Sequence, residues 1–284
     1  MTGQPVAPDF SRWIGRKERV DDPLAWVQAQ AAQATLDEVS PPIVDGDALP
    51  LPWHWFHFLE RTPQAELDDN GHARLGDFMP PVPYPRRMFA GARMRVHHPL
   101  RVGTVATREG EIKQVALKTG SRGPLAFVTV AYRFVQQGRL CVEEEQDIVY
   151  RELGERVDSP QAAALPPLPP DTWSRTVRPD ARQLFRFSAL TFNAHRIHYD
   201  HDYVRAVEGY PGLVVHGTLT ATLLLQLVRQ STPRPVLAFG FRALAPLFEP
   251  AAVRLSGRRA GDEVALQVHG PDGALAMTAS ATLG

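Results

Sequence analysis

The chain is short of cysteine, of lysine and of net charge, and each shortage excludes something. Cys141 is the one cysteine among 284 residues, so no disulfide can form within the chain. That fits a reducing compartment rather than a disulfide-stapled secreted fold. Acidic and basic residues balance at 31 each, which argues against nucleic acid or an anionic membrane as a general partner. Only three of the basic residues are lysines. Local positive charge is therefore carried by arginine, which suits fixed, bidentate recognition of phosphates and carboxylates. No apolar run reaches the ~18 residues that mark a bilayer-spanning helix. The N-terminal segment also lacks the basic-then-apolar pattern of a signal peptide. The expectation is a soluble, cytoplasmic protein with little charge repulsion against self-association. There is no G-x-S-x-G elbow, no G-x-G-x-x-G turn and no Walker loop, so the enzyme classes built on them find no support.

What the chain does have is histidine in one place. His195, His198, His201 and His216 fall within a short stretch, together with Asn193, Arg196, Asp200 and Asp202. A packed core has little use for so many titratable groups, whereas a site handling protons near neutral pH does. From spacing alone, a structural polar loop is the favoured explanation for Asn193 and His198. A metal site among these histidines and aspartates would lack both a helical H-E-x-x-H pair and cysteine ligands, so no metal is expected. His216 precedes an apolar helix and serves either the site or the bracing of its loop. Cys141 stands beside several acidic residues, which raise a thiol's pKa, and is not a nucleophile on this reading.

Along the chain, Asp22-Pro23 predicts a helix start, with apolar positions from Leu24 to Leu36. Trp53, His54, Trp55, Phe56 and Phe58 form a short aromatic segment, read as packing with a ligand lid as the alternative. Residues 62–91 contain five prolines and three glycines and form a long ordered loop. Strands are expected at 92–98, 101–107, 112–119, 125–136 and 139–151. Residues 152–180, with PPLPP at 166–170, read as a linker unable to continue a helix or sheet. Beyond it a strand is expected at 183–188 and a buried helix at 218–229. Further strands are expected at 236–244, 253–259, 263–269 and 274–282.

The two halves repeat one another. Gly120-Ser121-Arg122-Gly123-Pro124-Leu125-Ala126 matches Gly270-Pro271-Asp272-Gly273-Ala274-Leu275-Ala276 at an offset of 150. Arg95, Pro99 and Leu100 match Arg242, Pro246 and Leu247 at an offset of 147. Duplication of a helix-then-strands unit follows. Two such units can pair their sheets edge to edge and bury an end strand from each. The expected fold is α+β, a double hot-dog. The first repeat spans 1–151 without catalysis, the linker 152–180, and the second, catalytic repeat 181–284.

The second half resembles the MaoC-like hydratases in Asn193-Ala194-His195-Arg196-Ile197-His198-Tyr199-Asp200 and Val214-Val215-His216-Gly217. FSALTFNAHRIHYD (187–200) and EGYPGLVVHG (208–217) place the resemblance in one branch. It holds hydroxyacyl-thioester dehydratases type 2 and mesaconyl-C4-CoA and itaconyl-CoA hydratases. PPVPYPRRMFAG (80–91), GPLAFVTV (123–130) and EEQDIVYR (144–151) extend the resemblance through the first half.

This resemblance implies a hydro-lyase acting on an acyl-CoA thioester, with coenzyme A part of the substrate and no separate cofactor. It implies His198 as general base, Asn193 as the holder of the attacked water, and the Gly217 backbone N–H as oxyanion donor. Asn193 stands where many relatives carry aspartate. A neutral amide orients water but takes no proton from it, so the proton work falls on one histidine, expected to titrate near neutrality. Arg86, Arg87, Arg196 and His216 are the substrate-binding candidates. The expected reaction is syn hydration of a C5 dicarboxylic enoyl-CoA, itaconyl-CoA or mesaconyl-C4-CoA, to citramalyl-CoA. The alternatives are a (3R)-hydroxyacyl-thioester dehydratase of fatty acid metabolism, a hot-dog acyl-CoA thioesterase and a non-catalytic acyl-CoA-binding module. Self-association to a homodimer is also expected.

Overall fold

The computed structural model describes residues 9–120, 123–154 and 156–284. Ser121 and Arg122 of the first glycine turn, and residues 1–8, lie outside them. The first half runs β1 (Lys17–Asp22), α1 (Trp26–Leu36), β2 (Arg86–Val96), β3 (Ala106–Gly120), β4 (Gly123–Gln136) and β5 (Arg139–Arg151). The second half runs β6 (Thr172–Val177), α2 (Ala181–Leu190), α3 (His201–Ala206), α4 (Gly217–Ser231), β7 (Val236–Ala243), β8 (Val253–Ala260), β9 (Glu263–His269) and β10 (Leu275–Leu283). Among the described residues no helix is long and apolar enough to cross a membrane.

The strands form one antiparallel sheet in the order β1-β3-β4-β5-β2-β7-β10-β9-β8-β6. From either edge inward, the two halves use the same order. They meet where β2 pairs with β7, and Arg93 faces Gly240 there. These two residues are themselves 147 positions apart, the offset seen in the sequence. Arg95 faces Ala238 and Gly91 faces Arg242, so the register places an approximate two-fold axis at the Arg93–Gly240 pair. The architecture is a double hot-dog.

The buried helix is α4. Every residue from Leu219 to Val228 is buried, as its apolar sequence requires. Helix α1 is not its counterpart. α1 follows β1 as α2 follows β6, and α1 packs on α2. Residues 37–85 contain only 3-10 turns at Trp53–Phe56 and Gln64–Glu66. Trp53, Phe56 and Phe58 fill the first copy's core instead. Gln226 of α4 ties the halves together. Its amide donates to Leu36 O (2.9 Å) and its oxygen accepts from Arg175 (2.6 Å).

Several expected elements differ. The segment 183–188 lies in helix α2, because Asp180 caps it, accepting from Gln183 N at 3.0 Å. Leu184, Phe187 and Ser188 recur at helical spacing and are buried. The expected linker contains strand β6, since no proline falls between residues 170 and 179 and TWSRTV pairs with β8. The second unit therefore starts earlier than residue 181. Residues 101–105 are turn, and β3 is one long strand with a bulge between Ile112 and Gln114. The highly charged β1 was hidden by its composition. Asp22 does not cap α1. It receives the N–H groups of Leu24 and Phe58.

Replacing Gln226 with alanine strips two buried partners at once. The unfolding free energy should fall by about 1–3 kcal/mol, measured by urea denaturation; an unchanged midpoint would contradict this role.

Candidate active site

The segment between α2 and α4 is held against α4 by its own backbone. Asn193 N donates to Ser188 O (2.8 Å), and Val214 N donates to Ile197 O (2.9 Å). Asp200 caps α3 by accepting from Tyr203 N (2.9 Å). His198 ends a 3-10 turn, Arg196–His198, and is buried. Its Nδ1 lies 2.7 Å from the Val214 carbonyl oxygen. A carbonyl only accepts, so the proton sits on Nδ1 and Nε2 keeps its lone pair.

His216 stacks on His198, with ring centroids 3.6 Å apart and an interplanar angle of 17°. His216 Nε2 lies 2.9 Å from Ser188 Oγ. The His195 ring meets His198 edge-on at 5.5 Å. Asn193 Oδ1 accepts from the His195 N–H at 2.9 Å. This fixes the amide's orientation and leaves its NH2 to donate elsewhere.

The first copy closes the site from the other side. Arg196 N donates to Asn70 O (2.9 Å) and Arg196 Nη1 to Asp69 O (3.1 Å). Gly71 takes φ +90°, and a Cβ there would fall 1.8 Å from Ala194 O. Only glycine permits that approach. His72 then lies with its ring 4.2 Å from that of His195.

Four imidazoles thus form a row: His72, His195, His198, His216. Burial drives His72, His195 and His216 well below the usual histidine value, and the charges of neighbouring groups add to it. Burial pushes His198 down to about 4, partly offset by its bond to Val214. All four are neutral at pH 7. The expectation of titration near neutrality is corrected accordingly, because desolvation outweighs hydrogen bonding here. The rings meet by faces and edges, and among the described residues no group of three metal-ligating side chains converges.

A cavity of about 1640 Å³ is lined by Asn193, His195, His198, His216, Gly217 and Arg87. Gly217 is the first residue of α4, where backbone N–H groups have no helical partner. The arginine candidates separate. Arg196 points away from the cavity wall; its guanidinium pairs with Asp200 (2.8 Å) and stacks over Tyr203. Arg86 reaches the wall but is buried in an ion pair with Glu208 (2.8 Å), also donating to the Glu208 carbonyl. Arg87 lines the cavity, with Nη1 3.5 Å from His72 Nδ1.

His72, Gly71 and Ser188 were missed in the sequence. The signal for the first two was Asp69-Asn70-Gly71, a strong turn in a long loop. Ser188 carried none. Of the aromatic segment, Trp53 and Phe56 are packing, while Trp55 lines the cavity. Cys141 is buried, and that burial raises its thiol.

Fold and site together define a double hot-dog protein with one histidine–amide site, built on the second copy and closed by the first. The model of the hydroxyacyl-thioester dehydratase type 2 family matches residues 52–249. A mesaconyl-C(4)-CoA hydratase from Chloroflexus aurantiacus is 56 % identical, over 97 % of this chain and 98 % of that protein. A mitochondrial hydroxyacyl-thioester dehydratase type 2 from Schizosaccharomyces pombe is 26 % identical, over 72 % of this chain and 75 % of its own length. Among solved structures, a MaoC-like dehydratase superposes with TM-score 0.72 at 16 % identity, covering 97 % of this chain and 99 % of the other. A Mycobacterium tuberculosis protein described as a double hotdog fold gives 0.60 at 14 % identity, covering 95 % and 96 %. The structural likenesses support the fold. The chain belongs to the hydroxyacyl-thioester dehydratase type 2 family.

Two outcomes follow. Gly71→Ala should lower stability by about 1–3 kcal/mol and reduce turnover, because the loop must leave Ala194; wild-type values in both would contradict the contact. The buried histidines also set an acid response. Unfolded, each binds a proton below its ordinary value near 6.5, while folded it does not until much lower pH. The unfolded state therefore binds more protons in that window, and stability falls as pH falls. Each fully desolvated histidine adds a slope of up to ~1.4 kcal/mol per pH unit. Urea midpoints at pH 7 and pH 5 should show a clear loss at pH 5.

Proposed function

We propose that this chain hydrates a C5 dicarboxylic enoyl-CoA, mesaconyl-C4-CoA first and itaconyl-CoA second, to citramalyl-CoA. The chemistry is carried by one observation: Nδ1 of His198 is committed to Val214 O, leaving Nε2 as a neutral base at a cavity wall. The substrate choice is supported by the 56 % identity to the mesaconyl-C(4)-CoA hydratase over 97 % of this chain.

In this reading, with mesaconyl-C4-CoA bound, the Asn193 NH2 donates to a water beside the β-carbon, and that water donates to His198 Nε2. The water oxygen attacks the β-carbon while its proton passes to Nε2. The π electrons of the double bond move toward the thioester, whose oxygen becomes the enolate oxygen. His198 then returns the proton to the α-carbon on the same face. One histidine thus serves as base and then acid, and no second carboxylate is needed. The Gly217 N–H, at the start of α4, stabilises the enolate oxygen through hydrogen bonding and the helix dipole. A Cβ on Gly217 would come no nearer than 3.8 Å to Phe89 O. The protein itself tolerates a side chain there, so glycine's value is the room it leaves for the thioester. His216 holds one face of His198. Of the three arginine candidates, Arg87 is the one that remains available to an acidic group of the substrate, whereas Arg86 and Arg196 act as braces. The first copy supplies loop and wall but no base.

Dehydration of 3-hydroxyacyl thioesters is the second reading, favoured by the description of the matching family and by the Schizosaccharomyces pombe relative. The same groups run the reaction in either direction. A cytoplasmic setting and a homodimer belong to the proposal too, the first supported by a lone, buried cysteine.

His198→Ala should lower kcat by ~100- to 10,000-fold; near-full activity would remove His198 as the base. With mesaconyl-C4-CoA, mass spectrometry should show addition of water with CoA retained, whereas free CoA would mark a thioesterase. Because His198 is held at about 4, kcat/KM should stay level from pH 8 to pH 6. It should fall only toward that value, over the range where circular dichroism shows the chain folded. An acid limb centred near 6.5 would contradict a desolvated base. Equal kcat/KM for crotonyl-CoA and mesaconyl-C4-CoA would overturn the dicarboxylic preference.

A further inference from the structure

We infer that His72, carried by the first copy's loop, forms with Arg87 the subsite for the substrate's free carboxylate and so sets the preference for a dicarboxylic acyl group. The inference rests on the dicarboxylic reading above. In mesaconyl-C4-CoA the β-carbon bears a methyl group and the carboxylate, and water adds to that same carbon. The carboxylate therefore lies one bond from the reacting atom. Its partner has to stand beside the water-activating groups, not at a distant end of the cavity.

Six arginines line the cavity, and three of them are already committed, whereas among the described residues Arg87, Arg151 and Arg242 have no carboxylate partner; of these three, Arg87 is the one beside the histidine row. Arg86 pairs with Glu208, Arg93 with Glu145 and Asp147, and Arg108 with Glu18. Arg87 lines the cavity and has no carboxylate within ion-pair distance among the described residues. Its Nη1 approaches His72 Nδ1 at 3.5 Å. A guanidinium only donates, so Nδ1 is the acceptor and the His72 proton resides on Nε2. The pair then offers a carboxylate one cationic donor and one neutral donor, a single positive charge for a single negative one. The His72 ring is 4.2 Å from His195, which is 5.5 Å from His198. That places the pair one side chain from the base.

The electrostatics give the subsite a purpose beyond binding. Hydration drives negative charge onto the thioester through the carbon that carries the carboxylate. An unpaired carboxylate there opposes both the approaching water and the enolate. Pairing it with Arg87 and His72 relieves that repulsion, most strongly in a cavity shielded from solvent. A site built to pair a charged group also discriminates against analogues that lack it.

The test is the ratio of kcat/KM for mesaconyl-C4-CoA to that for crotonyl-CoA, in wild type, His72→Phe and His72→Gln. Phenylalanine keeps a ring against His195 but no donor. Glutamine keeps an N–H near the Nε2 position but no ring. The expected result is a ratio lowered about 10- to 100-fold in His72→Phe, the scale of a lost charge-assisted hydrogen bond, and partly restored in His72→Gln. A wild-type ratio in His72→Phe, or equal losses with both substrates, assigns His72 to packing and overturns the subsite while leaving the hydratase reading intact. A wild-type chain with no preference for the dicarboxylic ester overturns both.

Discussion

The pairing of β2 with β7 is the constraint on which the remaining arrangement depends. It joins two half-sheets that would otherwise each expose an end strand, and its register sets the approximate two-fold axis at Arg93 and Gly240. The long loop of the first copy ends where β2 begins. The seam therefore determines where residues 68–73 and Arg87 fall relative to the second copy's loop. A slip of one residue would turn each β2 side chain to the opposite face. Arg87 would then leave the cavity, and Gly71 would lose its contact with Ala194. The site is a product of register as much as of the residues within it.

The histidine row shows what such enclosure costs and gains. Three buried imidazoles and a fourth, half-buried one stand in near contact, and all are neutral because a charged ring there would lose its hydration. A neutral histidine has two tautomers, and at His198 the carbonyl of Val214 selects one. The result is a ring nitrogen with a free lone pair at any ordinary pH, at the expense of basicity. A weaker base abstracts a proton less readily from free water. The proposed chemistry meets this by using His198 only to relay a proton from water to the α-carbon, where enolate formation supplies the driving force.

Much of this was legible in the sequence where the signal was local. The glycine turns and the spacing of Arg95 and Arg242 disclosed the duplication. The motif around Asn193 and His198 marked residues that line the cavity, and the apolar run after Gly217 disclosed the buried helix. What was hidden depended on long-range packing. Helix α2 read as a strand because Phe185 and Phe187 alternate with arginine, and only burial of Leu184 and Phe187 on one face reveals the helix. Strand β1 was concealed by charge, being an edge strand whose partner lies nearly a hundred residues away. The fate of the arginines was also invisible. Arg86 and Arg87 are adjacent in sequence, but successive side chains on a strand face opposite ways. One therefore meets Glu208 and the other meets His72.

The asymmetry between the copies follows from the same geometry. The second copy keeps α4, whose first turn has N–H groups without helical partners and whose first residue lines the cavity, and the first copy has no equivalent helix among its described residues. Trp53, Phe56 and Phe58 are buried in the core there but present no α-helix terminus. Without that terminus the first copy has no ready donor for a thioester oxygen, whatever side chains it carries. Released from that role, its long loop can cross the seam and set Gly71 and His72 against Ala194 and His195 of the other copy. Duplication would then have produced one divided site instead of two complete ones. On the proposed reading, the second copy contributes the groups that move protons, and the first contributes the groups that recognise what is attached to the reacting carbon.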